Sequence, residues 1–165
     1  MGQVEQENLL SWCQKVVGDD TLLAEDKDGN KIGSSAFREP IVKTFCNFGV
    51  QRICRGVGYE MPNLMANDLH DYLQKNWIKP RGLLSAQMEA AFNAAMLGDL
   101  AVLSYKHDPH GHIAVVAPIK PMLYSGHWSM YCPQVANIGQ HNGFMGANYA
   151  FKEVPDIFIL GRVLQ

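Results

Sequence analysis

Cys46 and His112 are the residues whose types and positions in the chain point to nucleophilic chemistry. The apolar residues of 50–57 recur with the period of an amphipathic helix, and Thr44 is a suitable N-cap, so we expect Cys46 in the first turn of that helix. Unpaired backbone N–H groups and the positive end of the helix dipole stabilise a thiolate at such a position. This placement favours a reactive cysteine with a lowered pKa.

His112 opens a run of apolar residues that predicts a β-strand, and a neutral imidazole there can take the thiol proton and return it to a leaving amine. A third group usually orients such an imidazole by accepting its other N–H. The next predicted strand offers Gln134 and Asn137, which fall on opposite faces, so at most one of them points at His112. Gln134 is slightly favoured because small Ala136 shares its face, as Ala114 shares the face of His112.

A metal site is the competing interpretation of the same histidines. His110 and His112 lie two residues apart on one face of a strand, which is a usable zinc geometry. Such a site needs a further His and Asp, but the only histidine upstream of residues 107–112, which contain three histidines, is His70, which lies in a predicted helix and is followed directly by Asp71. The metal hypothesis lacks a clear third ligand, so no metal is expected.

The composition indicates one globular domain over residues 1–165 with no affinity for polyanions. The chain is 47% hydrophobic and 18% charged, its formal net charge is -2, and its basic residues form no run. Nucleic acid is therefore not an expected partner. No stretch reaches the roughly 18 apolar residues of a membrane span, and residues 1–8 lack the basic and apolar regions of a secretory signal. We expect synthesis in the cytoplasm and, if the protein acts elsewhere, export that needs no such signal.

The hydrophobic periodicity predicts an α+β fold in which N-terminal helices pack on a small antiparallel sheet. Residues 1–40 are expected to hold one helix and a turn-rich segment, and residues 41–165 the remaining core. The helices are expected at 5–17, from Cys46 to about Gly56, after Asn63 or Asn67, and from a Ser85 cap to Gly98. The strands are expected at Leu100–Tyr105, His112–Ala117, Pro133–Ile138 and Asp156–Val163, arranged as a meander.

Three short motifs, taken in order, resemble one family of enzymes. Cys46-Asn47 opens a helix, Gly98-Asp99-Leu100 leads into a strand, and Gly111-His112-Ile113 leads into the next one. This order is similar to that of the NlpC-type papain-like cell-wall peptidases, and more closely to that of the peptidoglycan amidase effectors delivered by type VI secretion. The resemblance covers about residues 44–140 and implies a papain-like core for residues 41–165.

The resemblance implies hydrolysis of an amide bond in peptidoglycan stem peptides, through a thioester on Cys46 with His112 as general base and acid. Gln134 or Asn137 would orient the imidazole, and backbone N–H groups at the helix start, around Asn47, would hold the oxyanion. The resemblance also implies no metal or organic cofactor, action in the periplasm of a target bacterium, and an immunity protein that inhibits the enzyme in the producing cell.

Two other interpretations stay open. The same chemistry fits a phage-type lysin, or a papain-like deamidase or acyltransferase. A non-catalytic binding domain of the same fold is the other, and its best support is Phe48-Gly49, where the family continues the helix with polar and then bulky apolar residues. A glycine in the first turn lowers helix propensity and changes the region expected to hold the oxyanion.

Overall fold

The computed structural model describes residues 2–32 and 41–164 of the chain. Residues 33–40, which end the predicted 1–40 segment, lie outside the described residues, as do Met1 and Gln165. The helices are α1 (Gly2–Val17), α2 (Cys46–Gly56), α3 (Ala66–Asn76), α4 (Leu84–Met96) and α5 (Ala147–Ala150). The strands are β1 (Ala24–Glu25), β2 (Lys31–Ile32), β3 (Ala101–Tyr105), β4 (His112–Val116), β5 (Leu123–Ser125), β6 (Met130–Cys132), β7 (Gln134–Asn137), β8 (Gly143–Gly146) and β9 (Asp156–Ile159).

Five of the strands form one antiparallel sheet in the order β8-β7-β4-β3-β9. The helices that precede this sheet in the chain pack against it, which confirms the predicted α+β class with N-terminal helices on an antiparallel sheet. The predicted meander is wrong in its last step, because β9 pairs with β3 at one edge of the sheet instead of with β7, the strand before it in the prediction. Strand β8 and the small two-stranded pairs β1–β2 and β5–β6 are additions to the predicted elements.

Helix α2 begins at Cys46, as predicted, but its N-cap is Phe45 rather than Thr44. Phe45 has no side-chain oxygen, and no side-chain hydrogen bond caps the helix. The first N–H groups of α2 therefore have no capping side chain that competes for them. The caps predicted for α3 and α4 are wrong in the same way. Met65 and Leu83 hold those positions in place of Asn63 or Asn67 and of Ser85.

Gly49 sets how closely α2 approaches the sheet. A Cβ atom on Gly49 would lie 2.6 Å from Cγ1 of Ile138, just after β7, and 3.5 Å from Cγ1 of Val16 in α1. The first distance is far inside van der Waals contact, so a larger side chain would push the helix that carries Cys46 away from the sheet. The departure from the family pattern at Gly49 thus has a packing explanation.

Asp99 joins the start of β3 to the end of the chain. Its carboxylate is buried, accepts the N–H of Leu100 at 2.9 Å and the N–H of Gly161 at 3.0 Å, and lies 3.5 Å from the Arg162 guanidinium. A buried carboxylate is stable only when it is paired in this manner. The aspartate of the Gly98-Asp99-Leu100 motif therefore positions β3, the neighbour of β4 in the sheet.

Candidate active site

The sulfur of Cys46 contacts strand β4 at the residue that follows His112. Cys46 is the first residue of α2 and is only 6% exposed. The backbone N–H groups of Ile113, Asn47 and Cys46 itself lie near enough to its sulfur to favour a thiolate there. Two elements that are 66 residues apart in sequence are therefore in direct contact, and the predicted nucleophile lies beside the strand start that carries the predicted base.

The imidazole of His112 is held by Asn137. Its Nε2 lies 2.6 Å from Oδ1 of Asn137, and Nδ2 of Asn137 donates to the carbonyl of His141 at 2.7 Å. The second bond fixes which end of the amide faces the ring, so Nε2–H donates and Nδ1 is the basic nitrogen. The ring packs against Phe151 with a centroid separation of 4.8 Å. These contacts leave Nδ1 as the atom that can accept the thiol proton.

The sheet register decides between the two predicted orienting residues. Val115 pairs with Ala136, so the odd residues of β7 share a face with the even residues of β4, and Asn137 lies on the side of His112. Gln134 lies on the other face, where its Nε2 donates to the carbonyl of Pro121 at 3.2 Å. The structure thus brings Asn137 to His112, and the slight preference for Gln134 finds no support in the geometry.

Asn47 contributes backbone rather than side chain to the site. Its side chain is buried and its Nδ2 donates to the carbonyl of Leu64 at 3.2 Å, while Gln51, one turn further along α2, donates to the same carbonyl at 3.0 Å. These two amides fasten the segment before α3 to α2. The groups able to bind an oxyanion are the N–H groups of Cys46 and Asn47 at the uncapped start of α2.

Burial governs the protonation of the pair. It raises the pKa of the Cys46 thiol above its ordinary value, although the N–H groups of Ile113, Asn47 and Cys46 act in the opposite direction. Burial also lowers the pKa of His112, and the hydrogen bond to Asn137 partly offsets this. At neutral pH the site therefore rests as a neutral thiol beside a neutral imidazole. The sequence predicts that the helix start lowers the thiol pKa. This prediction is wrong for the resting state because desolvation outweighs the effect of the helix N–H groups.

The other three cysteines have the environment of core residues. Cys13, Cys54 and Cys132 are unpaired and fully buried. Burial raises the pKa of Cys13 to about 12 and that of Cys132 to about 11, and it raises the pKa of Cys54 as well. A high pKa and an inaccessible sulfur make a thiol inert. Cys46 is the cysteine with both a measurable exposure and a histidine at hand.

A second cluster, which contains a serine and a histidine, lies on the face of the sheet opposite to that of His112. Nδ1 of His70 is 2.8 Å from Oγ of Ser104, and Nε2 of His70 is 3.3 Å from the Asp156 carboxylate. The residue types match those of a serine hydrolase, but Ser104 is 0% exposed and no substrate carbonyl can reach it. This cluster ties α3 to β3 and β9.

The zinc hypothesis gains nothing from the geometry. Within residues 2–32 and 41–164, no three His, Cys, Asp or Glu side chains come together as a metal site. Nε2 of His112 is engaged by Asn137, and His110 is exposed in the loop before β4.

No protein-family model matches this sequence, and no curated protein matches it significantly. No helix in the described part of the chain has both the length and the apolar character needed to cross a lipid bilayer. What the site does is therefore inferred from its geometry and from the motif resemblance.

The contacts made by His141 and Phe151 lie outside the sequence prediction. The only local signal near them is the turn-rich stretch 139–143, which marks a loop directly after the strand that bears Asn137.

Proposed function

We propose that this chain is a cysteine amidase that hydrolyses an amide bond in peptidoglycan stem peptides through a Cys46 thioester. The observation that carries the proposal is the gathering of Cys46, His112 and Asn137 at one end of the sheet. The sulfur contacts the N–H that follows His112, and Asn137 lies 2.6 Å from the imidazole. A nucleophile, a base and an orienting amide are the minimum set for acyl transfer to a thiol.

In the first half-reaction, the sulfur of Cys46 attacks the amide carbonyl carbon while Nδ1 of His112 takes the thiol proton. The carbonyl oxygen becomes an oxyanion, which the N–H groups of Cys46 and Asn47 stabilise. The C–N bond then breaks, His112 donates its proton to the departing amine, and the acyl group remains on Cys46 as a thioester.

In the second half-reaction, water attacks the thioester carbonyl and gives one proton to the neutral imidazole of His112. Collapse of the tetrahedral species breaks the C–S bond, and the sulfur recovers its proton from the imidazolium. The products are a carboxylic acid and the original thiol–imidazole pair, so no metal or organic cofactor takes part.

The finer fold assignment belongs to the same proposal. A helix that starts with the nucleophile and packs against an antiparallel sheet with the histidine on the adjoining strand fits a papain-like, NlpC-type core over residues 41–165. The choice of peptidoglycan as substrate rests on the three motifs, and so do the proposed action in the periplasm of a target bacterium and the proposed immunity protein. Gly49, which favours a binding domain in the sequence, also has a packing role, because an added Cβ atom there would lie 2.6 Å from Cγ1 of Ile138.

Digestion of purified peptidoglycan by the wild type and by Cys46→Ala, followed by mass spectrometry of the muropeptides, tests the proposal. We expect new amine and carboxylate ends with the wild type, none with Cys46→Ala, and retained digestion with Cys132→Ala, the matched loss of a buried thiol elsewhere. Unfolding curves of all three proteins control for the fold. Equal digestion by Cys46→Ala would remove this thiol from the mechanism, and no digestion by folded wild type would refute the substrate assignment.

A further inference from the structure

Residues 19–22, a single turn after α1, connect the two halves of the candidate site. Asp19 on this turn forms an ion pair with Arg52 of α2, the helix that carries Cys46. Leu22 at the other end of the turn accepts a hydrogen bond through its carbonyl from Nδ2 of Asn142 at 2.9 Å. Asn142 lies in the loop that follows Asn137, so the turn has one contact on each side.

Asn142 organises the loop that holds the orienting amide. Its Oδ1 accepts the N–H of Gly139 at 3.0 Å, which closes the loop 139–142 on itself. The carbonyl of His141, the neighbouring residue, accepts Nδ2 of Asn137 at 2.7 Å. An Asn142 that is held at both ends of its amide therefore fixes the carbonyl that fixes Asn137.

The turn itself is closed by hydrogen bonds. Oδ1 of Asp19 accepts both the backbone N–H and the hydroxyl of Thr21, at 2.9 and 2.7 Å. Just beyond the turn, Glu25 exchanges backbone hydrogen bonds with the residues that lead into α2. Its N–H donates to the carbonyl of Lys43, and its carbonyl accepts the N–H of Val42, both at 2.9 Å. The segment thus holds the start of α2 as well as its middle.

We propose that residues 19–22 act as a clamp between the nucleophile helix and the loop that orients His112, with Asn142 as the positioning residue that closes it. The role rests on the proposed function, because a clamp on these groups matters only if Cys46 and His112 react together. Neither Asn142 nor the turn contacts the reacting atoms. Their effect passes through the direction of the Asn137 amide and the distance between α2 and β7.

Asn142→Ala tests the clamp in the muropeptide assay. An Asn137 amide that is no longer fixed through His141 misplaces the imidazole. A misplacement of 1 Å costs about a hundredfold in rate, so a smaller one should lower kcat roughly tenfold and leave KM nearly unchanged. The acidic limb of the kcat/KM profile should move to lower pH, because His112 loses part of the bond that favours its charged form. Titratable side chains on the elements around the ring include Cys46 on α2, Tyr105 on β3 and His141 in the loop after β7, and the variant leaves all three in place.

Three further variants separate positioning from a general loss of structure. Asn142→Asp keeps the acceptor for Gly139 but loses the donor to Leu22, so its kcat should fall like that of the alanine variant. Its acidic limb need not follow that of the alanine variant, because the added carboxylate itself favours a charged imidazole. Arg52→Ala should lower kcat, and its effect should not add to that of Asn142→Ala because both open the same clamp. Asn30→Ala removes a side-chain hydrogen bond to Asp26 in the same N-terminal segment. This control should leave kcat and the acidic limb of the pH profile unchanged.

Alkylation of Cys46 by iodoacetamide, followed against pH, gives a readout that needs no peptidoglycan. Cys46 is the least buried of the four cysteines, so the reagent reports on it first. A limb that moves to lower pH in Asn142→Ala supports the clamp even if no cell-wall substrate is cleaved. An unchanged limb in folded Asn142→Ala, an unchanged kcat, or a wild-type kcat of Asn142→Asp would each overturn the proposal.

Discussion

Asn137 offers the sharpest test of the site, because its amide is bound at both ends and replacing it changes the pKa of His112 in a known direction. Asn137→Ala removes the 2.6 Å contact to Nε2 and leaves the N–H of a half-buried imidazole without its partner. Asn137→Asp keeps an oxygen acceptor at that position and adds a negative charge. The two variants therefore perturb the same nitrogen with opposite electrostatic effects.

The magnitude follows from the cost of an unpaired buried donor. Leaving one such group unsatisfied costs about 1–3 kcal/mol. If the transition state, in which the ring becomes charged, bears this cost, kcat falls by about 5- to 150-fold at roughly 1.4 kcal/mol per tenfold. The substrate does not contact Asn137 in the proposed mechanism, so KM should change little.

The direction of the pH effect is fixed by the contacts of His112. Burial holds its pKa below the ordinary value, and the hydrogen bond to Asn137 opposes that shift. Asn137→Ala removes the opposing contribution, so the acidic limb of kcat/KM should move to lower pH. In Asn137→Asp the carboxylate stabilises the imidazolium, so the limb should move to higher pH.

Rates of muropeptide release between pH 4.5 and 8 measure both effects, with unfolding curves to confirm that each variant is folded. Gln134→Ala is the matched control, since it removes an amide from the same strand on the face away from His112. Limbs that coincide in all variants would refute the assignment of Asn137. A shifted limb in Gln134→Ala alone would restore the residue that the sequence slightly favours.

Three further predictions concern stability and metal. Burial lowers the pKa of both His70 and His112, so below about pH 6.5 the unfolded chain binds more protons than the folded one. The urea midpoint of unfolding should therefore fall from pH 7 to pH 5. His110→Gln, at an exposed site, should leave this pH dependence of the midpoint unchanged. Gly98→Ala should lower the free energy of unfolding by about 2–5 kcal/mol, since its φ is 81° and an added Cβ would lie 2.3 Å from a Cβ of α1. Gly58→Ala, where φ is 91° and no atom lies near the added Cβ, should lower it by only about 1–2 kcal/mol. A chelator should leave muropeptide release unchanged; its loss on chelation and return with zinc would revive the metal hypothesis.

The positions of the candidate nucleophile and base could be predicted because both are marked by local patterns. A helix start and a strand start are each visible within about ten residues, and the structure places α2 and β4 at Cys46 and His112. The orienting residue could not be chosen in this way. Gln134 and Asn137 differ only in which face of β7 they occupy relative to β4, and that register is a property of the paired strands.

Long-range contacts also explain the other differences. The thiol pKa depends on how deeply α2 is buried against α1 and the sheet, which no local pattern reveals. Asn142 and Leu22 are 120 residues apart, so their hydrogen bond has no signal in either segment. Strand β8 contains two glycines among four residues, which lowers its strand propensity, and pairing with β7 overrides that preference.

The neutral resting pair has a consequence for how the site works. Burial opposes a free thiolate and a free imidazolium alike, so the charges of both appear only as the proton passes from Cys46 to His112. In the proposed mechanism, the same step moves the negative charge from sulfur to the substrate oxygen, where the uncapped N–H groups of α2 would receive it. The positive charge on His112 would be met by Oδ1 of Asn137. The two opposite charges thus form between groups that are already placed to stabilise each of them. Reactivity should therefore depend more on a substrate carbonyl entering the site than on pH above the limb of His112, and alkylation of Cys46 should be nearly flat from about pH 7 to 8; a steep rise there would show that the thiol ionises on its own.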